Sequence, residues 1–72
     1  MPKLFSSRQV VSILERQGFI FISQNGSHAK FKKRIGKSLL TVIVPAGKRE
    51  IPFGTFRSIL RQSGLQEIDF YK

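Results

Sequence analysis

Asn25 and Gly26 stand between two runs rich in aromatic and β-branched or alternating apolar residues, 19–23 and 29–35. An Asn-Gly pair accepts positive φ at both positions, which makes it the strongest short-range signal for a hairpin. The chain is therefore expected to turn back here as an antiparallel pair. Residues 33–37 are polar, contain Gly36, and precede a third run, 39–44, which Pro45 stops. A second hairpin and a third strand follow, and the rest of the chain has to cover one face of that meander.

The segment before it carries a helix start. With Ser6 as N-cap, Gln9 falls at N3 and completes a capping box, and Phe5 and Val10 take the two positions of a hydrophobic staple. Val10, Ile13 and Leu14 form one apolar stripe. Gly18 at C′ lets Phe19 fold back onto Leu14 in a Schellman ending, so the predicted helix is 7–17. After a basic loop over 46–53, Phe56, Ile59, Leu60 and Ser63 mark a second helix, with Arg57 and Arg61 on its other side and Gly64-Leu65 repeating the stop. A final turn over 66–70 is expected to tuck Ile68 or Phe70 against the core. In the first strand, Phe19 and Phe21 are assigned to the core and Ile20 and Ile22 to the opposite face. The expected fold is α+β: a single αβββα domain over 1–72, with two helices packed on one face of a three-stranded antiparallel sheet. Double-stranded-RNA-binding domains share this architecture.

Charge narrows the partners. The 72 residues carry 13 Lys+Arg against 4 Asp+Glu, a net charge of +9, which calls for an acidic or phosphate-bearing partner. At 40% hydrophobic residues the chain lies away from disordered compositions. Without cysteine and with one histidine it has no disulfide framework and no ligand set for a closed zinc site, so neither metal nor cofactor is expected. Its longest apolar run, Phe19-Ile20-Phe21-Ile22, falls far short of the roughly 18 residues that span a bilayer. The N-terminus lacks the apolar stretch of a secretory signal. A soluble cytoplasmic protein with no membrane association is the expectation.

His28 opens the second strand. Alternation puts His28, Lys30 and Lys32 on one face and Ala29, Phe31 and Lys33 on the other. Since the apolar pair marks the buried side, His28 is expected on the open face, directly after Asn25-Gly26-Ser27 and at the end of a hairpin whose backbone amides can approach a phosphate. Metal-free RNA cleavage needs a base for the 2′-hydroxyl proton and cations for the phosphorane. His28 fits the first role and Lys30 with Lys32 the second, while Lys48 and Arg49 add loop cations for RNA. Ser27 is a poor nucleophile partner for His28, because adjacent strand residues point to opposite faces. Two other readings share the basic surface: a non-catalytic RNA-binding module that reads phosphates and 2′-hydroxyls by shape, and a protein that binds an acidic polypeptide. In both, His28 is a polar residue on a solvated strand.

Gly18-Phe19, then Gly26-Ser27-His28, then Val44-Pro45, and finally Gly54-Thr55-Phe56-Arg57-Ser58-Ile59-Leu60-Arg61-Gln62-Ser63-Gly64-Leu65 together resemble the HicA toxins, also called YcfA-like, over about 7–70. The resemblance implies a small ribonuclease of double-stranded-RNA-binding-domain-like fold that cleaves messenger RNA without a cofactor. It also implies silencing by a HicB antitoxin encoded alongside. The family's active histidine falls on His28, and its flanking glycine and serine on Gly26 and Ser27. Many relatives carry a second histidine soon after the proline of the third strand; here that stretch reads Pro45-Ala46-Gly47.

Overall fold

The computed structural model describes residues 4–71. Its first helix, α1 (Ser7–Arg16), begins as its sequence requires: Ser6 Oγ accepts from the Gln9 N–H at 3.1 Å, and Gln9 Oε1 accepts from the Ser6 N–H at 2.9 Å. The two bonds satisfy donors that a helix start leaves orphaned. At the other end the Phe19 N–H donates to the Leu14 carbonyl and the Gly18 N–H to that of Glu15, the bond pair of a Schellman motif, with Gly18 at φ +98°. Gln17 is the cap, so the helix is one residue shorter than its periodicity predicts. Phe19 and Leu14 are both buried.

Three antiparallel strands follow, β1 (Ile20–Asn25), β2 (His28–Ile35) and β3 (Ser38–Pro45), in the order β1-β2-β3. Asn25 pairs with His28, so the first turn consists of Gly26 and Ser27 rather than Asn25 and Gly26. Gly26 sits at φ +62° and Ser27 does not have positive φ, which is the glycine-first pattern of a type II′ turn. The second helix, α2 (Phe53–Ser63), and a 3₁₀ turn (Glu67–Phe70) complete the chain. Of the two residues expected to tuck in from that turn, Phe70 is buried and Ile68 is exposed.

Val10 and Leu14 of α1, Phe31, Val42 and Val44 of the sheet, and Phe56 and Ile59 of α2 join in one core, so both helices serve the same face of the sheet. The fold is the expected α+β αβββα arrangement. Phe5, Phe56 and Phe70 close one end of the core with ring centroids 5.0 to 6.0 Å apart, an aromatic cluster in favourable tilted and edge-on geometry. Along β3, the other edge of the sheet, the Ile43 N–H donates to Gln62 Oε1 at 2.8 Å, which ties α2 to a strand edge that would otherwise be unpaired.

One core assignment needs correcting. Phe19 is buried, but Phe21 remains 49% exposed. The register shifts between Phe21 and Ser23, a bulge at Ile22, and β1 is the outer strand. Phe21 still lies across from Phe31 and meets its ring edge-on at 5.7 Å, yet an open groove separates this edge from α1 and leaves the outer side of the ring uncovered. Ile20 and Ile22 are exposed as expected.

Among the described residues no helix is long and apolar enough to cross a membrane.

Candidate functional site

His28 is the first residue of β2, paired with Asn25 on one side and Pro45 on the other, and its side chain is exposed. It lines a groove of ≈ 390 Å³ with Ile43 and Pro45 of β3, Lys48 and Pro52 of the loop, and Thr55, Ser58 and Gln62 of α2. Thr55, Ser58 and Gln62 follow at three- and four-residue spacing, so one polar stripe of α2 faces the histidine's end of the sheet. Gln62 is fixed within it: its Oε1 accepts from Ile43, and its Nε2 donates to Ser58 Oγ at 3.1 Å.

Lys48 owes its place to Ser7. The Ser7 N–H donates to the Lys48 carbonyl at 2.9 Å, the Lys48 N–H donates to Ser7 Oγ at 2.9 Å, and Ser7 Oγ donates to the Pro45 carbonyl. Two more bonds secure the loop, from the Ile51 N–H to Phe5 and from the Ala46 N–H to the carbonyl of Ser27. The Gly26-Ser27 turn thus supports the loop that carries Lys48, and the Ser27 carbonyl is engaged in that support.

The expected site residues divide into three groups. His28 and Lys48 share one groove. Lys30 and Lys32 continue along β2 on the face of His28, and both are half-buried. Lys32 borders a separate depression with Ile20, Ile22 and Leu39. Arg49 lines the groove beside α1 and not that of His28, whereas Lys48 and Pro45 border both grooves. Lys33, on the helix side of the sheet, has its Nζ 5.7 Å from the centre of the Phe19 ring, close enough for a cation–π contact.

Sequence reasoning missed Ser7, Thr55, Ser58 and Gln62. The stripe in α2 was visible as polar positions beside an apolar face, but nothing local indicated that this helix would flank β3 and look toward His28. What the groove gathers is one imidazole, one ammonium, and hydroxyl and amide groups, with no carboxylate among its lining residues. Such a set can accept a proton and hold developing negative charge.

The chain is thus a basic αβββα domain with its single histidine lining a groove. The sequence pattern of the HicA toxin of bacterial toxin–antitoxin systems matches residues 7–65, and the chain belongs to that family. It is accordingly a toxin whose system includes an antitoxin partner. No protein of curated function matches it.

Proposed function

We propose that this toxin is a metal-independent endoribonuclease that cleaves messenger RNA in the cytoplasm and is silenced by a HicB-like antitoxin. The observation that carries the reading is the meeting of His28 and Lys48 in one groove. His28 takes the proton of a 2′-hydroxyl; the freed oxygen attacks the adjacent phosphorus, and the bond to the 5′-oxygen breaks. Water supplies the proton that the leaving 5′-oxygen takes, and the products are a 2′,3′-cyclic phosphate and a 5′-hydroxyl. Lys48, whose backbone is held in the groove by Ser7, stabilises the negative charge that builds on the phosphorane. Lys30 and Lys32 hold flanking phosphates, as does the Gly26-Ser27 turn.

Matched RNA and DNA strands incubated with the purified protein in EDTA provide the test. RNA is expected to be cut to cyclic-phosphate ends while DNA stays intact. Cleavage of DNA, or strict dependence on added magnesium, would contradict the mechanism.

A further inference from the structure

On the far side of Lys48 from His28 lies a larger groove, ≈ 760 Å³, between the first turns of α1, the β1–β2 hairpin and the loop at 45–49. Val11, Phe31 and Val44 contribute to its apolar lining, and Phe21 stands at its side. Arg8, Lys48 and Arg49 border it, all three exposed. Its volume falls within the range of small-molecule sites, which are mostly apolar with a few polar groups that set orientation.

Phe21 is the informative residue. An aromatic side chain left 49% exposed on a small domain needs a reason, and the edge-on contact with Phe31 holds the ring in place. A fixed, half-exposed ring beside cations has the components of a stacking platform for an unpaired nucleobase. The lining also contains the carboxylate of Glu15 and the amide of Gln24, acceptors for the N–H groups along a base edge. Contacts to phosphate alone would use neither.

We propose that this groove is a nucleotide subsite, in which an unpaired base beside the cleaved phosphate stacks on Phe21 while Arg8 and Arg49 hold its phosphate. The inference rests on the ribonuclease reading, because Lys48 and Pro45 border both grooves and thereby connect the base to the phosphate at His28. A second copy of the chain is a poor occupant: the rim would set cation against cation in a protein of charge +9. The consequence is that the substrate is single-stranded at the cut, since a base held in a duplex cannot turn onto Phe21.

Titration of the isotope-labelled protein with the four nucleoside 5′-monophosphates, ribose 5-phosphate and inorganic phosphate tests this, read by amide chemical shifts. At least one nucleotide is expected to shift the amides of Val11, Phe21 and Gln24 and to bind about tenfold more tightly than ribose 5-phosphate, within the range for one stacked base. That preference should disappear in Phe21→Ala and survive in part in Phe21→Tyr, which keeps the ring if the alanine variant fails to fold. Equal affinity for ribose 5-phosphate, shifts confined to other surfaces, or an unaltered preference in folded Phe21→Ala would overturn the subsite. So would shifts at these amides with the antitoxin and none with nucleotides, which would make the groove a protein-docking surface. RNA cleavage without nucleotide binding refutes the subsite alone, whereas nucleotide binding at Phe21 without RNA cleavage refutes the ribonuclease reading and, with it, the subsite's place beside a cleaved phosphate, leaving a nucleotide-binding groove.

Discussion

Ser7 Oγ sits between the Pro45 carbonyl and the Lys48 N–H, in a side chain that is itself buried. Removing it leaves both groups without that partner, and a buried polar group left unpaired costs about 1–3 kcal/mol. Ser7→Ala is therefore expected to lower stability by about 1–2 kcal/mol and to slow RNA cleavage, because the loop that presents Lys48 loses two of its ties. Thermal melting and an initial-rate assay check the pair of effects, and an unchanged melting temperature would show that the loop holds itself. Gln62 is placed in the same way, by Ile43 and Ser58. Neither residue carries a local signal of its role. Their partners are distant in the chain, 38 residues away for Pro45 from Ser7 and 19 for Ile43 from Gln62, so only the assembled fold reveals them.

Elements whose instructions are local were readable in advance. The capping box of α1 and its glycine ending use side chains and backbone groups within a few residues of each other, and both form as the sequence indicates. The hairpin was legible in existence but not in register: Asn25-Gly26 marked the turn, while pairing of Asn25 with His28 moved it one residue on. Phe21 was misassigned because alternation tells which side of a strand a residue takes, not whether a helix covers that side. His28 was legible as an exposed strand residue; its company of Lys48, Thr55 and Ser58 was not. Two glycines separate backbone demand from helix propensity. Gly18 has φ +98°, and a Cβ there would meet Lys33 Cε at 3.3 Å, whereas Gly54 in α2 has no positive φ and no such neighbour within 4 Å. Gly18→Ala is expected to cost about 1–2 kcal/mol, and Gly54→Ala to stabilise by about 0.5 kcal/mol. Melting temperatures should move in opposite directions, and a shared sign would count against the backbone account.

For the whole molecule, a net charge of +9 would favour both the proposed RNA substrate and an inhibitor of acidic character, since complementary charge speeds such encounters. An antitoxin that silences the toxin by covering the open face should bury His28. Amides over 26–33 are then expected to exchange more slowly in the complex, and unchanged exchange there would move the inhibitory contact elsewhere. On the ribonuclease reading, the charge that would attract RNA is separable from the group that would cut it. His28 is exposed, and among the described residues no hydrogen bond to its side chain ties it to the core, so His28→Ala should alter stability by no more than about 1 kcal/mol. The proposed RNA contacts Lys30, Lys32, Lys48 and Arg49 are untouched by that substitution, so RNA binding is expected to persist. The most direct measurement is RNA cleavage by His28→Ala beside the parent, with melting temperature recorded on the same samples. Cleavage reduced by about 10²–10⁴ in a variant that melts like the parent is the predicted result. Undiminished cleavage by the folded variant, or a loss of cleavage that simply follows a collapsed melting temperature, would contradict the assignment of His28 as the catalytic base.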